Sequence, residues 1–279
     1  MRWTASRLWV VPFAALAAAA APSAALDING FMPGAGRGAL AFTATVEGYD
    51  EFWVGDTKVS DPGVGEVETN SLTAWFTWGL TDNFALVVNL PYVDTTSDGL
   101  GGFEDNGLQD LTALAKLRFA SFGNGGTRHS LVGAAGVRTP ASDYEGNLPV
   151  DLGDATTDAL LRLVYQLESG SFYFSQQVGF DVRGDDAPDG IPLYTELGWS
   201  AGPATWTLFY AQLIADGGTD IGDPGFTFPS NGDEYQRVGA KVYGRFTEAL
   251  GGTLGGFTTL DGRNSGDVTG FFGGLVVSF

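Results

Sequence analysis

Three features predict an all-β chain that closes into a transmembrane, antiparallel, up-and-down barrel. They are a period-2 alternation of apolar side chains, connections that alternate between short and long, and about 12 strands, with 10 or 14 as alternatives. Past residue 25 no apolar stretch reaches the roughly 20 residues of a spanning helix, and the 3.6-residue period is absent.

The elements follow in chain order. Arg2 and Arg7 precede an apolar run from Leu8 to Ala21 that closes on Ser23, Ala24 and Ala25, which predicts a cleaved signal peptide over 1–25. Residues 26–38 form a leader whose Gly34-Ala35-Gly36-Arg37-Gly38 run lacks the strand-then-helix setting of a phosphate cradle and reads as flexible. Whether it hangs below the barrel or plugs it is open. Strands are expected near 39–48, 67–80, 83–93, 108–121, 129–139, 157–168, 171–183, 191–200, 204–214, 235–247, 252–260 and 268–279, making 39–279 the barrel. Leu72, Ala74, Phe76, Trp78 and Leu80 share one face, and Ser71, Thr73, Trp75, Thr77 and Gly79 the other. Leu111, Ala113, Ala115, Leu117 and Phe119 likewise back onto Asp110, Thr112, Leu114, Lys116 and Arg118. A soluble sandwich also alternates, but it has no reason to place every long loop on one rim. An open strand edge in hydrocarbon would leave amides and carbonyls unpaired at several kcal/mol each, so the sheet must close. Inward Gly79, Gly179, Gly198, Gly239, Gly270 and Gly274 would make room for larger lumen side chains. Trp78, Tyr92, Phe119, Trp199 and Trp206 suit an interfacial girdle.

Charge narrows the function. Without Arg2 and Arg7 the chain keeps 12 basic against 33 acidic residues, a net charge of −21 with no basic stripe, so nucleic acid is not expected as a partner. Most acidic residues fall in the long connections, where they suit a rim facing lipopolysaccharide through divalent cations. Lys116, Arg118, Arg138, Arg162, Arg183, Arg237, Lys241 and Arg245 lie in strands. On the lipid face each would cost roughly 2–4 kcal/mol near the midplane, so the lumen is their place. Inward Glu47, Asp110, Asp158, Asp181 and Glu196 are available to pair with them, and the cations either sit in a salt-bridged filling or line a conducting path.

Catalysis and cofactors are not expected. The chain has no Cys, and His129 is its one His; adjacent Ser130 points to the opposite strand face, so the two cannot act directly as base and nucleophile. No metal site built on Cys or His is available.

The segment Trp78-Gly-Leu-Thr-Asp-Asn-Phe-Ala-Leu-Val-Val-Asn-Leu-Pro-Tyr-Val93, followed by Asn106-Gly-Leu-Gln-Asp-Leu-Thr-Ala-Leu-Ala-Lys-Leu-Arg118, resembles the MetA-pathway of phenol degradation family of outer-membrane transporters. Gln109 stands where that pattern has a second Gly. The resemblance implies uptake of small aromatic or apolar compounds and transfers no ligand residues.

The expected function is therefore a channel or transporter for passive uptake of small molecules across the Gram-negative outer membrane. The alternative is a closed structural or surface-interaction barrel with acidic extracellular loops. Candidate substrate contacts in the lumen are Trp75, Lys116, Arg118, Arg162, Tyr243 and Arg245. The connection 215–234 embeds Phe226 and Phe228 and is read as disordered in preference to an inward-folding lid. Phe279, a terminal aromatic, is expected to seat the last strand beside the first, around Leu40, Phe42, Ala44 and Val46, and to signal to the outer-membrane assembly machinery. Membrane lipid, lipopolysaccharide, that machinery and small solutes are the expected partners.

Overall fold

The structure is a computed structural model that describes residues 27–60, 63–99, 102–146, 150, 152–184 and 187–279. The expected signal peptide lies outside the described residues. Among the described residues fifteen strands follow in order: β1 (Gly38–Tyr49), β2 (Phe52–Val54), β3 (Thr57–Val59), β4 (Val67–Gly79), β5 (Phe84–Ser97), β6 (Phe103–Leu108), β7 (Asp110–Phe122), β8 (Thr127–Pro140), β9 (Asp158–Ser169), β10 (Phe172–Val182), β11 (Asp189–Ala201), β12 (Ala204–Asp216), β13 (Glu234–Arg245), β14 (Leu250–Arg263) and β15 (Thr269–Ser278). Twelve of them close an antiparallel barrel. The expected segments match these twelve within a few residues. The β2–β3 hairpin stands in the first long connection, and β6 pairs with the long-loop end of β5.

Closure runs through the termini. β1 pairs with β15 from Ala39↔Ser278 to Gly48↔Thr269 and with β4 from Gly38↔Trp78 to Tyr49↔Val67. The Gly38 amide donates to the Phe279 carbonyl at 2.8 Å and the Phe279 amide to the Gly38 carbonyl at 3.0 Å. The Phe279 ring lies against Trp78 and Phe76, with centroids 5.6 and 6.5 Å away.

Burial is inverted relative to a soluble protein. Outward Leu254 and Phe271 are 66% and 70% exposed, whereas inward Asp181 and Glu196 are 1% exposed. A lipid solvent accounts for this: the apolar row dissolves in acyl chains and the polar row is hidden inside. Trp78, Phe122, Phe172, Trp199, Trp206, Phe246 and Phe279 collect outward beside the short turns, as an interfacial girdle does. Phe119 and Phe122 both face out because a bulge between Arg118 and Ala120 shifts the register of β7 by one residue. The tightest turns have Gly170 and Gly202 at a φ of 60°, the left-handed conformation that a type II′ hairpin needs at its first central position.

The inward glycines are seats for large neighbours. A Cβ on Gly198 would lie 1.9 Å from the Tyr173 ring, on Gly239 2.2 Å from Phe209, on Gly270 2.6 Å from Phe257, and on Gly179 2.7 Å from an Arg162 nitrogen. Each glycine thus lets a ring or guanidinium lie flat on the wall.

Candidate transport lumen

The leader is not free. Residues 27–37 enter the lumen from the short-turn rim and are tied down by the barrel wall, replacing the expectation of a flexible segment. The Ile28 amide donates to Gln177 Oε1 at 2.8 Å, the Gly30 amide to Gln166 Oε1 at 2.6 Å, and Asn29 Nδ2 to Glu196 Oε2 at 3.2 Å. Lys116 Nζ donates to the Phe31 carbonyl at 2.7 Å, and the Phe31 ring meets Tyr173 edge-on at 5.0 Å. At the rim the Gly36 amide donates to the Gly79 carbonyl, and the Gly79 amide to the Arg37 carbonyl, each at 2.8 Å. The approach depends on small residues: a Cβ on Gly79 would stand 2.0 Å from the Gly34 carbonyl oxygen, and one on Gly30 2.5 Å from Gln166 Cβ. Ile28 completes an apolar cluster with Trp75, Val87, Leu114, Val132, Val164 and Tyr243.

The six candidate residues therefore divide. Trp75 and Tyr243 pack in the cluster around Ile28, and Lys116 holds the inserted segment. Arg162 is fully buried and paired with Asp181 on the neighbouring strand. Arg118 stands at the short-turn rim, where Nε and Nη2 donate to Asn83 Oδ1 at 2.9 and 2.8 Å, and Arg245 is exposed on that rim. Neither Arg118 nor Arg245 lines the closed section of the lumen.

Further charge pairs run along the wall. Arg138 Nε donates to Asp158 Oδ2 at 2.8 Å across a directly opposed strand position, with Asp110 3.9 Å away, and Lys241 Nζ lies 2.6 Å from Glu196 Oε1. Arg183 pairs with Asp154 from the long-loop side. A buried pair that loses one partner strands a charge, so these contacts fix the wall's shape more than they add net stability. His129 and Ser130 take opposite faces: His129 Nδ1 lies 2.8 Å from the Tyr165 hydroxyl on the outward face, and Ser130 is buried inside.

Above the inserted segment is a cavity of about 210 Å³, lined by Glu47, Tyr49, Val67, Val93, Leu152, Tyr235, Arg237 and others, with Phe228 and Pro229 from the connection 217–233 at its edge. That connection is folded, contrary to the disordered reading. The Thr219 amide donates to the Ser230 carbonyl at 2.9 Å, the Phe226 and Phe228 rings meet edge-on at 4.8 Å, and Asn264 clasps the base. Asn264 Oδ1 accepts from the Gly55 and Ile221 amides at 2.9 and 3.0 Å, while its Nδ2 donates to Asp220 Oδ1 at 2.9 Å and the Gly232 carbonyl at 3.2 Å. Arg263 Nε adds a 2.7 Å bond to the same Asp220 oxygen. Candidate choice by charge and aromaticity missed Gln166, Gln177 and Asn264; an inward amide in the alternation was the signal for the two glutamines.

The bonds from Asn264 and Arg263 hold the Asp220 carboxyl below the usual carboxylate range. A lowered folded-state value means that the ionised group supports the folded loop at every pH above its unfolded value of about 3.9, and that this support is lost as pH falls through the folded value. Proteolysis within 217–233 should accordingly be slow at pH 7 and pH 5 and accelerate below about pH 4. Arg263→Ala should accelerate it already at pH 7. Equal cleavage of the wild type with an acid-active protease at pH 3 and pH 5 would show that Asp220 does not hold the loop.

The profile of the family described as "Putative MetA-pathway of phenol degradation" matches residues 49–264. The chain belongs to that family. The match spans strands on every side of the barrel, although the motifs that carried the resemblance occupy only 78–118. Among solved structures, the COG4313 outer membrane channel from Pseudomonas putida F1 superimposes with a TM-score of 0.74 at 14% identity, covering 91% of this chain and 98% of that one. The transport unit of the autotransporter AIDA-I from Escherichia coli gives a TM-score of 0.50 at 8% identity, covering 91% and 93%. At these identities the likeness establishes the shared barrel fold. No curated protein sequence matches the chain.

Proposed function

We propose that this member of the family is a channel of the Gram-negative outer membrane, exported through a cleaved signal peptide, for passive uptake of small aromatic or apolar solutes. The short turns and both ends of the barrel face the periplasm, and the acidic loops face outward toward lipopolysaccharide. The observation that carries this reading is the cavity of about 210 Å³ between a folded outer loop and the inserted segment. An apolar cavity of about 150 Å³ already holds benzene, so the space suits a single-ring solute. A solute would enter past Phe228, rest in the cavity, and leave inward once residues 27–33 shift.

A liposome-swelling panel of aromatics, sugars and anions tests this. Swelling faster than in protein-free liposomes is expected for small aromatics and not for disaccharides. No acceleration with any solute would end the channel reading. The inserted segment favours, as the second reading, a closed barrel with a structural or surface role, in which the acidic loops engage lipopolysaccharide. Planar-bilayer recordings without channel events would favour that one.

A further inference from the structure

The outer cavity contains two buried charged groups that the charge pairs along the wall leave aside. Arg237 on β13 is 7% exposed, and its Nε and Nη1 have no hydrogen-bond partner among the described residues; Glu47 on β1 is 8% exposed, and its Oε2 likewise has none among them. Both line the cavity. Buried donors and acceptors left unmatched cost about 1–3 kcal/mol each, more when charged, so two in one cavity mark a place where polar groups are held ready for a partner.

The wall positions them. Glu47 stands opposite Gly270, Gly270 opposite Phe257, and Phe257 opposite Gly239, two residues along β13 from Arg237. Glu47 and Arg237 thus look into the cavity from strands separated by β15 and β14. Gly270 and Gly239 keep the wall between them low enough for Phe257 and Phe209 to lie flat. The guanidinium is 4.3 Å from the Tyr235 ring centroid and 5.6 Å from that of Phe257. Aromatic contact holds its plane, leaving its N–H edge free to donate.

We propose that the Arg237 and Glu47 pair is a selectivity site for neutral single-ring aromatics carrying a group that both accepts and donates a hydrogen bond, a hydroxyl or a primary amide. The group accepts from Arg237 and donates to Glu47, while the ring packs among Tyr49, Tyr235 and Phe228. The opposite charges cancel across the cavity. A carboxylate would meet Glu47 and the acidic rim, and a plain hydrocarbon would leave both charged groups desolvated and unmatched. The proposal rests on the uptake reading and names the solute class within it.

The test is calorimetric titration of the full mature protein in lipid nanodiscs, corrected with empty nanodiscs, using benzamide, benzyl alcohol, benzoate and benzene. Benzamide and benzyl alcohol are expected to bind at least about tenfold more tightly than benzene or benzoate. Arg237→Met should bring benzamide down to the level of benzene. Glu47→Gln should keep benzamide, because its amide oxygen still accepts, and should strengthen benzoate, because the opposing charge is gone. Wild-type preference for benzoate, or equal binding of benzene and benzamide, would overturn the proposal. So would unchanged benzamide binding in an Arg237→Met variant that migrates as a folded, heat-modifiable barrel. Should that variant not fold, the benzoate response of Glu47→Gln decides: a gain supports the site and no gain rejects it. Uptake of the same solutes into liposomes separates the two claims. Selective binding without uptake sinks the channel reading alone, and uptake indifferent to both substitutions sinks the site alone.

Discussion

Removing residues 27–33 should widen the path through the barrel, with single-channel conductance rising severalfold and liposomes becoming permeable to sugars that the intact protein is expected to exclude. The segment is inserted in the lumen, and the gap beside it, between Asn29, Trp75, Lys116, Tyr194 and Lys241, is only about 30 Å³. Its amides end on Gln166 and Gln177, and its Phe31 carbonyl on Lys116. Once it is gone those side chains face water, which can satisfy them, so the barrel should still fold and keep its heat-modifiable migration. Gly79→Val should move in the same direction with a smaller effect, because its side chain would collide with the Gly34 carbonyl and dislodge the segment at the rim. Unchanged conductance in a folded deletion variant would mean that the barrier to passage lies elsewhere, with the loop 217–233 the next place to look.

How far the sequence could be read follows from what each feature depends on. Strand positions and facing were legible because lipid outside and polar groups inside impose one period along every strand. The pairing of Arg138, Arg162 and Lys241 with inward acids was foreseeable in kind, since a cation in a barrel wall has nowhere cheaper to point. The seats under Tyr173, Phe209 and Phe257 were legible as glycines but not as to which ring each receives, since that depends on register between strands distant in sequence. The insertion of residues 27–37 was not legible. Asp27-Ile28-Asn29-Gly30-Phe31 has no periodicity, and its partners lie 85 to 167 positions away in the chain. The loop clasp at Asn264 escaped for the same reason, because one amide gathers backbone groups from two connections distant in sequence.

The terminal residue gives the second large effect. Deleting Phe279 removes both hydrogen bonds that tie the last residue to Gly38, along with ring contacts to Trp78 and Phe76. At about 1 kcal/mol for each bond and 0.5–1.5 for each aromatic contact beyond area burial, the seam loses on the order of 3–5 kcal/mol, concentrated where the first and last strands must find one another. Much of that is hard to recover, because the ring also fills the space over Gly38, where a Cβ would lie 2.9 Å from it. The loss falls at the seam where the barrel closes, so folded protein in outer-membrane fractions should drop sharply while solute selectivity in the surviving molecules stays unchanged. Phe279→Tyr should assemble normally. Phe279→Ala, which keeps the backbone bonds and loses the ring, should fall between the two. Normal abundance of a heat-modifiable barrel in the deletion variant would show that the β1–β15 ladder alone is sufficient. Normal abundance combined with altered selectivity would move the role of Phe279 from assembly to the lumen.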